Sequence, residues 1–378
     1  MSTLVLLDRL SVGGAERHAA QMARLLPRFG QPAHLAVYLG VAAPNFPVAD
    51  LPADVSMLSE RSIFRPSGWR ALSQLIKGRR IELVLAVNQT TLVLSVLTRL
   101  FGLHQAKIVC VFHTTLINAK FSRLKLPIFY LCIALSDGII FVSQNQKSYW
   151  QTQKLSAPRM LAIQNGVDTS TFSPPSLEEK ADARRSLRLP PGAFIVSLTG
   201  RFAPEKNHRQ IIEACAELQA RGRNILVLLI GGGPLRVETE QIARDLGVSD
   251  SVVFCGEHRD VRPYLRASDV CVLTSVAVET FSLAALEGMA MALPAILSDL
   301  GGASEIVEPG RSGFLFPPHD TEALVDCIIN TMAAGVAAEM GLAARRRVVE
   351  QFTLDKMIEN YAEFLGDILG SDAQTRST

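Results

Sequence analysis

Glu279 and Glu287 are two carboxylates separated by seven residues, several of them small and apolar. The apolar run Val270–Leu273 before them reads as a buried strand, and Ser282–Ala292 reads as a buried helix. Eight residues of helix rise roughly 12 Å, about the separation of hexose and ribose in a nucleotide sugar. Carboxylates only accept hydrogen bonds, which suits paired hydroxyls, and they are seldom buried without a partner. Arg201 and Lys206 stand in Gly200-Arg201-Phe202-Ala203-Pro204-Glu205-Lys206-Asn207, directly after the apolar run Ala193–Leu198. A loop at the carboxyl end of a strand is where ligands bind in open α/β sheets. There the guanidinium fork and the ammonium point charge can clamp a diphosphate. Glu205 reads as the partner that orients Lys206. A solvated loop is the competing reading for an Arg and a Lys taken alone. Gly13 and Gly14 follow the first strand and open a helix, where the backbone can approach a phosphate closely and offer free N–H groups. A simple strand-to-helix turn reads equally well. His113 closes the strand Ile108–Val111, and residue type alone favours a structural histidine there.

These residues need a scaffold that brings loops together. The chain has 378 residues, 48% hydrophobic and 20% charged, enough for two domains with large cores. Strand-like runs at Leu4–Leu7, Ala33–Tyr38, Leu83–Ala86, Ile108–Val111 and Gly138–Val142 alternate with helical patterns such as Ala15–Leu26 and Thr90–Arg99. A second series follows at Ala193–Leu198, Ile225–Ile230, Val252–Cys255, Val270–Leu273 and Ala295–Leu297, then helical stretches at Glu322–Met332 and Asp355–Leu369. Alternation of this kind predicts an α/β fold with parallel sheets covered on both faces. The polar, Pro-rich stretch Ser173–Gly192 reads as the interdomain connection with a short helix, and Ser371–Thr378 as a disordered tail.

Charge is unevenly divided. Residues 1–185 hold 21 Lys and Arg against 11 Asp and Glu, a net of +10, and the remainder holds 17 against 25, a net of −8. A basic first half suits an anionic partner, or simply keeps the two halves apart in solution and attracts their faces. Ser59–Arg80 sets Arg61, Arg65, Arg70, Lys77, Arg79 and Arg80 among Phe64, Trp69, Leu72, Leu75 and Ile76. Lys120–Tyr130 sets Lys120, Arg123 and Lys125 among Phe121, Leu124, Leu126, Ile128 and Phe129. Both suit an anionic lipid surface, or a core face beneath solvated cations. The start of the chain lacks a basic n-region and cleavage site. The apolar run Leu126–Leu135 contains Pro127 and is shorter than the roughly 20 residues of a membrane span. The six cysteines are scattered, without a C-x-x-C pair, and fit a reducing cytoplasm.

Several of these motifs resemble retaining glycosyltransferases of family 4 (glycosyl transferases group 1). They are Gly13-Gly14-Ala15-Glu16, the R-x4-K spacing Arg201–Lys206, Asn165-Gly166-Val167-Asp168, Gly231-Gly232-Gly233, the E-x7-E pair, Gly301–Val307 and Gly310–Leu315. The matches run from Gly13 to Leu315, and those of the second half are the more specific. The resemblance implies the GT-B fold, α/β with two Rossmann-like domains whose parallel sheets face a cleft. Residues 1–175 would form the acceptor-side domain, 176–355 the nucleotide-sugar domain, and 356–378 a helix crossing back plus the tail.

The resemblance also implies roles. Arg201, Lys206 and the amides near Gly13 and Gly14 would stabilise the leaving diphosphate, Glu287 would hold the ribose, and Glu279 and His113 would contact the donor sugar. Backbone N–H groups of Phe281, Ser282 and Leu283 would face a phosphate or hydroxyl. Where the family often has Gly after the first Glu and Gly or Ser two further on, this chain has Thr280 and Ser282, and Thr280 leaves the donor hexose open. The expected reaction moves a hexose from a nucleotide diphosphate sugar, a UDP-sugar first, to a hydroxyl of a lipid-linked glycan or cell-surface polysaccharide precursor. It would retain anomeric configuration by same-face attack, since no second carboxylate suits a double displacement. It would need no cofactor and no metal, because no D-x-D pair is present, and it would involve no nucleic acid. The place would be the cytoplasm, peripherally at the inner face of the cytoplasmic membrane. The alternatives are a nucleotide-sugar epimerase and a catalytically idle partner subunit of the same fold.

Overall fold

Runs of Val, Ile and Leu become strands buried on both faces, and the helices between them supply the cover. In the computed structural model, which describes residues 2–10, 14–40, 51, 54–58, 60, 62–113, 122–277 and 279–375, the chain divides into two units. One comprises Met1–Asn165 with Asp355–Thr378, the other Gly166–Leu354.

The first unit runs β1 (Thr3–Leu7), α1 (Gly14–Leu25), β2 (Ala33–Val37), β3 (Val55–Met57), α2 (Pro66–Gly78), β4 (Leu83–Val87), α3 (Asn88–Leu100), β5 (Lys107–Phe112), α4 (Ser122–Ala134), β6 (Gly138–Phe141), α5 (Gln144–Thr152) and β7 (Met160–Ala162). Among the described residues the strands form one parallel sheet of order β3-β2-β1-β4-β5-β6-β7. The strand order reverses between β1 and β4. The carboxyl ends flanking such a reversal form a natural ligand crevice.

The second unit runs α6 (Leu177–Ser186), β8 (Phe194–Thr199), α7 (His208–Ala220), β9 (Ile225–Ile230), α8 (Arg236–Asp245), β10 (Val252–Gly256), α9 (Arg262–Ala267), β11 (Val270–Leu273), α10 (Leu283–Ala290), β12 (Ala295–Ser298), α11 (Ala303–Ile306), β13 (Gly313–Phe316), α12 (Thr321–Met332) and α13 (Val336–Gln351). Its parallel sheet has the order β10-β9-β8-β11-β12-β13, with the reversal between β8 and β11.

Helix α14 (Leu354–Thr375) returns to the first unit, where Phe364 and Ile368 pack against Gly138. It extends through Thr375, so most of the expected tail continues the helical turn. The segments that enter and leave the second unit are paired: Val167 N–H donates to Phe352 O and Leu354 N–H to Val167 O, each at 2.9 Å. A β-carbon on Gly166 would meet the Thr353 backbone, which accounts for the glycine of the Asn-Gly turn. Asp168 accepts hydrogen bonds from Ser170 and Thr171, which hold its carboxyl below the usual range.

Two expectations need correction. The polar stretch Ser173–Gly192 is not a free connection. Ser176 and Glu179 form a capping box that starts α6, and Lys180 and Arg184 pair with Asp269 of the second unit at 2.7 and 2.6 Å. The chain crosses between units at Asn165–Gly166. Glu279 lies ahead of α10, outside any helix, and Ser282 is the N-cap whose hydroxyl accepts from Ala285 N–H. The helical rise therefore does not measure the spacing of the two carboxylates. In the basic stretch of α2, Leu72 and Ile76 are core, and Leu75 is half-buried. By contrast Phe64 is 68% exposed. Ser59, Arg61, Lys120, Phe121 and the side chains of Arg123, Leu124 and Lys125 lie outside the described residues.

Candidate functional site

The second unit brings two of its expected site residues, Lys206 and Glu279, together at the β8/β11 reversal. Lys206 Nζ pairs with Glu279 Oε2, across 73 residues of sequence. The same oxygen accepts from Ser275 Oγ at 2.7 Å. Lys206 thus takes Glu279 as its partner instead of its neighbour Glu205, whose backbone carbonyl accepts from Val276 N–H at 2.9 Å. Thr274 Oγ1 donates to the carbonyls of Lys206 and Asn207 at 2.9 and 3.0 Å. The loop after β8 is therefore laced to the end of β11 by backbone and side chain together. Sequence reasoning missed Thr274 and Ser275, since two hydroxyls after a strand look like ordinary turn residues.

The other loops buttress this pair. Phe202 is fully buried, and its N–H donates to Gly232 O at 2.8 Å. Gly231, at φ +152°, has no room for a β-carbon against Gly200 O. The glycine turn is therefore fitted to the Arg201 loop. Arg201 itself is exposed. Phe202 also stacks on His208, ring centroids 4.2 Å apart. Burial, reinforced by the Lys206 charge, pushes the His208 imidazole down to about 4. Behind Glu279, Gly302 N–H donates to the carbonyls of Glu279 and Thr280 at 3.3 and 3.1 Å. Gly301, at φ +60°, sits where a β-carbon would overlap Glu279 O.

Helix α10 begins at Leu283, with Ser282 buried and Phe281 anchored edge-on against Phe352 at 5.5 Å. The first amides of any helix lack intrahelical acceptors and carry partial positive charge. Glu287, one turn into α10, is only 4% exposed.

In the first unit His113 follows β5, and its N–H donates to Asn88 Oδ1 at 3.0 Å. Asn88, at φ +67°, follows β4 and opens α3. The half-buried His113 ring meets His18 of α1 edge-on, centroids 4.6 Å apart. Burial pushes the His113 imidazole down to about 4. Gly14 is the exposed first residue of α1, and Gly13 lies outside the described residues.

Two family models match the chain: Glycosyltransferase Family 4 over residues 12–171 and Glycosyl transferases group 1 over residues 193–334. The chain belongs to glycosyltransferase family 4. It is 35% identical over 173 residues to D-inositol 3-phosphate glycosyltransferase 2 of Catenulispora acidiphila, covering 43% of this chain and 40% of that protein. It is 27% identical over 239 residues to the GDP-mannose-dependent alpha-(1-6)-phosphatidylinositol monomannoside mannosyltransferase of Mycobacterium tuberculosis, covering 61% and 62%. The chain thus spans about half the length of the curated relatives it matches. Among solved structures, Anabaena HepE in complex with UDP and glucose aligns with a TM-score of 0.85 at 22% identity, over 97% of this chain and 100% of that one. The fold of this family-4 chain is therefore GT-B, with two parallel-sheet Rossmann-like units.

Proposed function

We propose that the chain transfers a hexose from a nucleotide diphosphate sugar to a hydroxyl, with retention at the anomeric carbon. The observation that carries this reading is the Lys206–Glu279–Ser275 cluster at the β8/β11 reversal, beside the exposed Arg201. Arg201 and Lys206 offer fixed positive charge to a departing diphosphate, which lowers the barrier where negative charge develops. Because side chains supply that charge, the reaction is proposed to run without a metal. Glu279 orients Lys206 through one oxygen. Its other oxygen, Oε1, has no partner among the described residues and is assigned to a sugar hydroxyl. Glu287 is assigned to the ribose. The amides of Phe281, Ser282 and Leu283 are assigned to phosphate or sugar oxygens, and Gly13, Gly14 and His113 to the same donor.

A UDP-sugar is proposed as donor, supported by the UDP bound in the HepE complex. The GDP-mannose dependence named for the mycobacterial relative makes a GDP-sugar the second donor to test. The proposed acceptor is a lipid-linked glycan or polysaccharide precursor, met peripherally at the inner face of the cytoplasmic membrane. No single helix among the described residues is long and apolar enough to cross a membrane. A surface reading is supported instead. Phe64, Leu100 and Phe101 are 68, 62 and 64% exposed, and Trp69 contacts Phe101 at 5.1 Å. The segment between Arg61 and Ile81 carries no Asp or Glu. Each cation near an anionic surface contributes about 1 kcal/mol.

Incubation with UDP-glucose, UDP-N-acetylglucosamine and GDP-mannose, in EDTA with a membrane lipid extract, tests the reading. The expected result is nucleotide diphosphate release with an α-linked product from an α-linked donor, its anomer assigned by NMR. A new sugar isomer without transfer would make the chain an epimerase.

A further inference from the structure

The transferase reading leaves two buried rings of the first unit unused, those of His18 and Tyr361. His18 lies on α1, four residues beyond Gly14 and therefore one turn along the helix. On one side its ring meets His113 at 4.6 Å and 71°. On another it meets Tyr361 of α14 at 5.3 Å and 58°. His18 is only 2% exposed, and neither of its ring nitrogens has a hydrogen-bond partner among the described residues. The Tyr361 hydroxyl is buried in the same condition. An unmet buried polar group is costly, whereas an apolar side chain of similar shape is not. Packing alone would therefore place Leu or Phe at position 18. The ring is held from three elements, α1, the end of β5 and α14, so it has little freedom to turn.

We infer that His18 is a positioning residue for His113, its ring setting the plane in which the His113 imidazole meets the donor sugar, with Tyr361 backing it. The contact follows from geometry, and its purpose rests on the transferase reading. Burial together with the neighbouring His113 keeps the His18 imidazole well below its ordinary range. Both rings therefore stay neutral near pH 7, and His113 serves as a hydrogen-bonding group rather than a counter-charge.

The test uses the full chain with His18→Ala, His18→Phe, His113→Ala and the double alanine variant. Turnover of UDP-glucose and GDP-mannose, nucleoside diphosphate affinity, Tm and the ring signals of 13C-labelled histidine are read together. A misplaced contact group costs on the order of 10- to 100-fold in rate. That loss is expected for His18→Ala, with nucleoside diphosphate affinity unchanged and little further loss on adding His113→Ala. His18→Phe, which restores the ring contact, should recover most of the rate. Additive losses, or a rate that falls only in step with Tm, would overturn the inference. The NMR arm needs no activity: His113 ring signals should move in His18→Ala and return in His18→Phe. Unmoved signals would overturn the positioning role even in an active enzyme. Signals that move in His18→Ala while the wild type turns over no donor would instead sink the transferase reading alone.

Discussion

Glu279 shares one oxygen between an ammonium and a hydroxyl, so neutralising it removes Lys206's partner without removing volume. Glu279→Gln is expected to lower turnover about 100-fold, the scale of losing one preorganised electrostatic contact, while Tm moves by only a few degrees. Parallel loss of activity and Tm in calorimetry would make the cluster structural. Glu287→Ala is expected to weaken nucleoside diphosphate binding by about 1.5–3 kcal/mol, the loss of charge-assisted hydrogen bonds to the ribose. Glu287→Gln serves as the control for the cavity, because this side chain is almost fully buried. Unchanged affinity in both variants would remove the ribose assignment. The types of these residues were legible in the sequence, but their partnership was not. Lys206 and Glu279 meet only because β8 and β11 are neighbours. Glu205, adjacent in sequence, is the partner that local reasoning favours.

At the scale of elements, the glycine turns hold the site loops in register. Gly301 has a left-handed φ of +60° and no room for a β-carbon against Glu279 O. Gly310, at φ +76°, has open space around it. Alanine at either position carries backbone strain, and only at 301 does it also displace Glu279. Gly301→Ala should therefore lose turnover as well as more than about 1 kcal/mol of stability. Gly310→Ala should lose stability alone, as urea titration and initial rates would report. Equal turnover in the two variants would contradict the buttress. Strands with long aliphatic runs, such as Ile225–Ile230, were readable to the residue. The three-residue strands β3 and β7 were not, since they lie at the sheet's two edges, half-buried and too short for a pattern. His18 was also invisible, because a histidine among Ala19, Ala20 and Met22 looks like one more core position of an amphipathic helix.

At the scale of the whole molecule, burial pushes His104, His113 and His208 each down to about 4, and lowers His18 and His34 as well. A histidine whose folded value lies below its unfolded value of roughly 6.5 binds more protons when unfolded. Stability is then full above about pH 6.5 and is lost as pH falls from there toward 4. Calorimetry should show Tm nearly level from pH 8 to 7 and falling steeply from 6.5 to 4.5. A flat profile there would contradict the burial of these rings. The charge division, a net of +10 before residue 186 and −8 after it, predicts binding of anionic vesicles at low salt and release at high salt. In flotation, equal partitioning to neutral vesicles would favour a soluble acceptor.

Arg201 and Lys206 are proposed to clamp the diphosphate of a nucleotide sugar. Isothermal titration of UDP and GDP into the wild type and into the Arg201→Ala/Lys206→Ala variant tests it most directly. The wild type is expected to bind one of the two nucleotides and the variant to bind it at least about 100-fold more weakly, each lost charge-assisted contact being worth about 1.5–3 kcal/mol, with Tm little changed. Equal affinity in the two proteins, or no binding of either nucleotide by the wild type, would contradict it.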